Sequence, residues 1–480
     1  MRDPVASSDA IDRGCRFLIV ASVIVAAVLG LKRDCRSATL DASTATNLAQ
    51  EWLAAREPTE RARVAARVAE YDGAIEPVIA KLSSRSFQTV KSGYIAEEHF
   101  SDNALRRRHP DDLLYFVVPK SYRPERATGL IVFLHGGGSG TTRKAPRATL
   151  DFPAPDSPPD THRSGDMFAA TGMITVGPSA PWDTDTSYRW CVADADQYLA
   201  DVIEECKNRF NIDPDRVFLL GHSMGGFGAY HHVQRAPDRF AAVIANSGSW
   251  DRAYWPVIRG TPLCIVQGVH DARPGVRWHY TDVAYGRWTD RLLTADGIEH
   301  AYLEHDGNHS ISYGRPLIAK YLDATKDLRR DPYFPHIALA TPVGYGSSFC
   351  FLVEHNRWLS LDEATPGDLV YDEMRSHSDG SFSSWTLEHR TRKHPGSAIE
   401  AINRGDNLIE VSTQNVARFT VWLHPRMIDV AKPVTIVVNG KTRFNGKLTP
   451  SLVTALESFE RRRDWGLVYP MKVAIDVGTE

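Results

Sequence analysis

Residues 216–230 read Arg-Val-Phe-Leu-Leu-Gly-His-Ser-Met-Gly-Gly-Phe-Gly-Ala-Tyr. Val217 to Leu220 is a short apolar run, the length of a buried strand, and Gly221 stops it. Small residues return as Gly225, Gly226, Gly228 and Ala229, where a helix would pack close to a sheet. Between strand and helix lies Gly221-His222-Ser223-Met224-Gly225, a G-x-S-x-G. A serine nucleophile needs this spacing because it occupies a strained strand-to-helix turn, and the glycines remove side chains that would clash there. The turn lifts the Ser223 hydroxyl clear of the sheet and aims the Met224 N–H where an oxyanion would form. The bland alternative is a Gly-rich turn with an idle serine.

Outward from this stretch, strand and helix alternate. Leu130 to Leu134 is a strand that runs into His135-Gly136-Gly137-Gly138, and Met173 to Val176 is another. Ala193 to Phe210 carries helical spacing through Tyr198, Val202, Ile203, Cys206 and Phe210. Phe240 to Ile244 and Pro262 to Gln267 add strands, while Gly93 to Glu97 and Leu113 to Val118 suggest an antiparallel edge. The alternation predicts an α/β fold with a doubly wound, mostly parallel sheet covered on both faces.

A serine hydroxyl is a weak nucleophile until a base takes its proton, and the base needs an acid to orient it. On such a sheet the order is serine, acid, histidine, each in a loop after a strand. Asp271 follows the strand ending at Gln267 and is the expected acid; Asp251 comes too soon after its strand, and His270 adjoins the acid. His309, in the loop after Ala301 to Leu303, is the expected base in preference to His305, which still sits at the strand end. Gly136 or Gly137 would supply the second oxyanion N–H, because glycine lets backbone donors face a substrate unobstructed. Residues 139–166, rich in Pro, Ser, Thr and Asp, read as a lid or binding loop. His222, Trp182, Tyr188 and Trp190 are candidate substrate contacts, with packing as the alternative for the aromatics.

The chain of 480 residues is long enough for two or three domains. Residues 17–31 are uninterrupted apolar between Arg16 and Lys32 and fit a signal peptide or a membrane anchor, so residues 1–40 are read as an export segment. Residues 41–90 are helical, broken at Glu57-Pro58-Thr59 and Tyr71-Asp72-Gly73, and are expected to pack on a catalytic domain at 91–330. Prolines and glycines suggest a linker at 331–350, and 351–480 reads as a β-sandwich-like module with one helix at about 451–462. Asn439-Gly440 signals a two-residue hairpin. Asn415, Arg461 to Arg463 and the tryptophans of this region offer a polysaccharide surface or, alternatively, packing. A formal charge of -3 gives no reason to expect nucleic acid. Six cysteines are too few for a disulfide scaffold, and no Cys/His spacing suggests zinc.

His135-Gly-Gly-Gly, "NIDPDRVFLLGHSMGGFGAY", "VQGVHD" and "HDGNHS", in that order, resemble the α/β-hydrolase superfamily. The nearest groups are secreted feruloyl and acetylxylan esterases, polyhydroxybutyrate depolymerases and the prolyl-oligopeptidase-like catalytic domain. The resemblance covers roughly residues 110–325 and implies a serine hydrolase without cofactor or metal. It casts Ser223, Asp271 and His309 as the triad, and the N–H groups of Met224 and of Gly136 or Gly137 as the oxyanion hole. It implies a small-molecule or polysaccharide-linked ester as substrate, and leaves oligomeric state open. A prolyl-oligopeptidase-like peptidase and a non-catalytic carbohydrate-binding protein are the alternatives; no propeller-sized repeats precede the hydrolase region.

Overall fold

A computed structural model describes residues 40–137, 142–154, 157–158, 160, 162–179, 189–250, 252–271, 281–341, 355–378 and 385–478. The apolar segment 17–31, Trp182, Tyr188 and Gly138 lie outside them. Among the described residues no helix is long and apolar enough to cross a membrane.

The strands predicted around the serine all lie in one eight-stranded sheet among the described residues. Its order is Gly93–Glu98, Leu114–Val118, Ile174–Pro178, Thr128–Leu134, Ile212–His222, Ala242–Asn246, Leu263–Gly268 and His300–His305. The first two strands are antiparallel to their neighbours and the rest run parallel. This is the doubly wound, mostly parallel α/β arrangement that the alternation predicts. Side chains alternate between its two faces because the strand period is two. Leu130, Val132 and Leu134 enter one core with helices Ala193–Arg209 and Met224–Arg235. Ile131 and Phe133 enter the other, with Phe168 of helix Ser164–Ala170 and Ile318 of helix Ile311–Thr325. Cys191, Cys206 and Cys264 are buried free thiols.

Two further sheets face each other across one core. Ile337, Ile399, Ile409 and Ile436 come from a five-stranded sheet; Leu359, Phe419, Val421 and Val473 come from a four-stranded one. This is the predicted sandwich, with helix Leu452–Arg462 capped by Ser451. Val434–Val438 and Lys441–Gly446 pair through Val438 and Lys441, leaving Asn439 and Gly440 as the turn, both at positive φ.

Two expectations need correction. The expected linker contains a strand, His336–Ala340, which pairs with Ala398–Gly405 at the edge of the five-stranded sheet. Its short apolar run is hidden among prolines. The N-terminal helices Ala42–Ala54, Pro58–Val68 and Ile75–Ser83 bury Leu48, Trp52, Val64 and Val78 in a core shared with Leu452, Ala455 and Leu456 of the sandwich helix, not with the catalytic sheet. Arg61 adds an ion pair to Glu460 at 2.6 Å. Of the residues weighed as a polysaccharide surface or as packing, Trp358, Trp422, Asn415 and Arg462 follow the packing alternative, while Arg463 is exposed. Trp358 and Trp422 are buried, with indoles bonded to Phe334 O and Ser360 Oγ. Asn415 donates to Gly396 O, and Arg462 pairs with the buried Asp238.

The sandwich is clamped to the end of the main sheet where the parallel strands begin. Arg330, 3% exposed, donates to Asp464 Oδ1 at 2.9 Å, Asp215 Oδ1 at 3.0 Å and Asp238 O at 2.8 Å. Arg357 reaches the carbonyls of Arg259, Gly260 and Asp331. A buried guanidinium is tolerable only when carboxylates and carbonyls take up its donors, as they do here. Replacing Arg330 by Leu leaves Asp464 and Asp215 short of their cation and is expected to cost about 3–5 kcal/mol. A denaturant midpoint corresponding to less than about 1 kcal/mol of loss would show that the clamp does not couple the two regions.

Candidate active site

Ser223 ends strand Ile212–His222 and heads helix Met224–Arg235 with φ 58° and ψ −117°. That region is costly for a residue with a side chain, so neighbours must enforce it. The Ser223 N–H donates to Asn246 O at 2.9 Å, and Ser223 O accepts from Phe227 N at 3.0 Å. A Cβ on Gly221 would overlap Gly225 O, and one on Gly225 would overlap Leu134 O. The elbow therefore closes only with glycine on both sides.

His309 sits in the loop between strand His300–His305 and helix Ile311–Thr325. Its Nε2 lies 2.7 Å from Ser223 Oγ and its Nδ1 lies 2.7 Å from Asp271 Oδ1. Asp271 is buried, while the His309 side chain keeps 26% exposure, enough for a substrate to approach. The carboxylate sets the tautomer: an Nδ1–H donating to Asp271 leaves Nε2 free to accept from the hydroxyl. The competing groups lie elsewhere. His305 stacks on Tyr313, both ring nitrogens lack partners, and burial lowers its pKa. His270 is exposed and pairs with Asp306 at 2.8 Å. Asp251 lies outside the described residues.

Gly136 follows strand Thr128–Leu134 and passes beside the serine; a Cβ there would sit 3.1 Å from Ser223 Cβ. Gly137 is exposed next to it. Met224 opens the helix, where backbone N–H groups have no intrahelical partner and the dipole favours negative charge. The surroundings thus suit an oxygen that gains charge.

His222, a candidate substrate contact, lies with its ring 5.2 Å from that of His309. The Asn246 amide donates to its Nδ1 at 2.7 Å. Burial first, and the neighbouring His309 second, push its pKa down to about 3, so His222 stays neutral. Trp190 does not wall an open pocket. It is fully buried and its indole donates to His135 O at 3.0 Å, bracing the Gly136 loop from behind. The expected lid at 139–166 holds two short helices, Ala145–Thr149 and the start of Ser164–Ala170. Arg315 of the helix after His309 ties it down through Asp151 at 2.8 Å.

Two positioning residues escape the sequence reading. Asn246 holds both Ser223 and His222, and the buried Gln267 donates to Asp271 Oδ2 at 3.3 Å and to Thr281 O. Both are polar residues closing the C-terminal ends of apolar parallel strands, the edge where ligands bind in open α/β sheets. That position was the available signal.

One other cluster has metal-ligand chemistry. Asp196, His231 and His232 bring ligand atoms within 4.8 Å of one another. Arg235, however, donates to the second oxygen of the same carboxylate at 3.1 Å. A dication there would face that guanidinium, so the arrangement reads as a clamp between helices Ala193–Arg209 and Met224–Arg235.

Residues 162–263 match the prolyl oligopeptidase family. A bifunctional acetylxylan esterase/xylanase of Neocallimastix patriciarum is 33% identical over 75 residues, which are 16% of this chain and 11% of that protein. The chain thus spans about a tenth of that relative. Among solved structures, a thermostable esterase is 20% identical over 49% of this chain and 63% of its own, with a TM-score of 0.38. A ferulic acid esterase is 18% identical over 50% of this chain and 99% of its own, with a TM-score of 0.36.

The two histidines give the sharpest test of the geometry. His309→Ala is expected to lower kcat at least about a thousandfold on any ester the protein turns over. His305→Ala should leave kcat within about threefold, since it touches neither the serine nor the acid. The opposite ranking would move the base to His305.

Proposed function

We propose that this α/β-hydrolase is a serine esterase working through an acyl-enzyme, with Ser223 as nucleophile, His309 as base and Asp271 as the orienting acid. The observation that carries the reading is the continuous relay Ser223 Oγ–His309 Nε2–His309 Nδ1–Asp271 Oδ1, with 2.7 Å at both hydrogen bonds. His309 takes the Ser223 proton as Oγ attacks the ester carbonyl carbon. The tetrahedral oxyanion rests on the N–H of Met224 and on one from Gly136 or Gly137, each donor being worth about 3 kcal/mol in such sites. His309 then protonates the departing alkoxide, and a water deprotonated by the same imidazole releases the acid. Buried Asp271 stabilises the imidazolium formed twice per cycle, and Gln267 keeps its second oxygen turned away from His309. A neutral His222 beside His309 adds no charge to oppose that imidazolium.

A small-molecule or polysaccharide-linked ester is the proposed substrate class. Export is part of the same proposal, resting on the apolar residues 17–31. The second reading, a peptidase or amidase, draws on the match of residues 162–263 to the prolyl oligopeptidase family. Amide hydrolysis requires proton delivery to a poorly leaving nitrogen and hence tighter placement of the leaving group; an alkoxide leaves more readily.

A fluorophosphonate probe should label the wild-type chain once, and Ser223→Ala should abolish both labelling and ester turnover. Labelling that survives the substitution would mean that another serine is the nucleophile.

For an aryl ester against a matched anilide, kcat/KM should differ at least about a hundredfold in favour of the ester, nearly 3 kcal/mol in barrier. Equal rates on a proline-containing peptide and a simple ester would replace the esterase reading by the peptidase one.

A further inference from the structure

The sandwich sends one hairpin, Asp368–Ser378 paired with Trp385–Pro395, back to the catalytic region. Its register fixes its direction. Asp372 pairs with Ala253 and Glu373 with Arg252, antiparallel. The chain from Asn246, beside the serine, descends through 252–253 toward Gly260 and Thr261, where the next strand begins. An antiparallel partner must climb, so residues 374–378 run toward the catalytic edge. The other face gives the same answer. Met374 and Leu387 pack on Tyr285 and Trp288 of helix Val283–Ala295, and His389 lies 6.0 Å from the Trp288 ring. That helix starts just after Thr281, whose carbonyl bonds to Gln267, the partner of Asp271. Four pairs beyond Met374, ending at Ser378 and Trp385, carry the strands about 14 Å further at ~3.4 Å per residue.

Burial along the face turned away from that helix changes in step. Leu369, Tyr371 and Glu373 are 2%, 5% and 3% exposed. Arg375 and His377 on the same face are exposed, as are their cross-strand partners Glu388 and Thr386. A face covered by the catalytic core at its base thus emerges into open space at the level of the Asp271 loop. It does so as a polar row, with His377 and Glu388 in contact at 2.8 Å. An isolated hairpin of this length is marginal in water. This one is wedged at its base between the core and helix Val283–Ala295, which fixes the direction in which it leaves.

We propose that Arg375, His377, Thr386 and Glu388 form the wall of the substrate cleft on the acid side and select esters whose polar, extended portion lies beyond the scissile bond. The proposal rests on the esterase reading. The wall contacts only the remote part of a large substrate, and a small ester reaches the serine without touching it. Remote contacts of this kind lower KM, and also raise kcat where they help to position the scissile bond.

The test compares p-nitrophenyl acetate with an aryl ester bearing a sugar. Arg375→Ala/His377→Ala/Glu388→Ala is expected to raise KM for the large ester at least tenfold and to leave kcat/KM for p-nitrophenyl acetate within threefold. A second variant replaces 375–388 by Asn-Gly, which joins the opposed residues Met374 and His389 by a two-residue turn. It should show the same split; because it also removes Leu387 from the packing on Tyr285 and Trp288, its melting temperature is expected to fall by a few degrees while unfolding stays cooperative. Parallel losses on both substrates, or no change on either, would overturn the wall. Wild-type inactivity on p-nitrophenyl acetate would instead remove the esterase reading on which it rests.

Discussion

The strained backbone of Ser223 is the constraint on which the site depends. A residue with a side chain at φ 58° and ψ −117° stores of order 1–3 kcal/mol, and it persists only if its surroundings over-determine it. Three independent contacts do so here. Asn246 O holds the N–H from the next strand, Gly221 lets the Gly225 carbonyl close over the turn, and Gly225 lets the helix approach Leu134. Each contact comes from a neighbouring parallel strand or from the turn itself. The register of the sheet, not local propensity, thus sets where the hydroxyl stands. The same register brings the loops after Gly268 and His305 side by side, so that Asp271 and His309 meet above the serine.

Rigidity and chemistry occupy opposite ends of this sheet. The charged clamp of Arg330, Asp215, Asp238, Asp464 and Arg462 sits where the parallel strands begin. The relay sits where they end. Such a division lets buried charges pair with one another without imposing their field on the His309 imidazole. It also lets loops at the catalytic end vary while the clamp keeps sheet and sandwich in one arrangement.

How much of this was legible follows from the range of each interaction. The elbow, the strand order by type, the Asn439-Gly440 turn and the helix capped by Ser451 rest on contacts within a few residues, and the sequence displays those. The strand His336–Ala340 was missed because its edge position needs only five residues and its flanks look like a linker. Trp190 read equally as a pocket wall or as packing, because composition does not reveal which side of a loop an indole supports. The N-terminal helices were assigned to the wrong partner for a related reason. Their amphipathic stripe announces burial but not the surface that buries it, and Leu452 and Leu456 lie nearly four hundred residues away. Asn246 and Gln267 showed only as polar ends of apolar runs, and their roles depend on what the sheet places beside them.

The same reasoning bears on what the C-terminal region is. Leu369, Ala398 and Ala340 belong to the core under the elbow helix, together with Leu219, Met224 and Val243. A module attached only by a linker would complete its own core and leave its neighbour's intact. Here the catalytic core is finished by side chains from the sandwich, and the sandwich helix is finished by the N-terminal helices. Apolar surface covered from a distant part of the chain is exposed if that part leaves, at about 25 cal/mol per Å². The sandwich is therefore a structural part of the unit that carries Ser223, and its hairpin rises along the core of that unit because the base of the hairpin is already inside it.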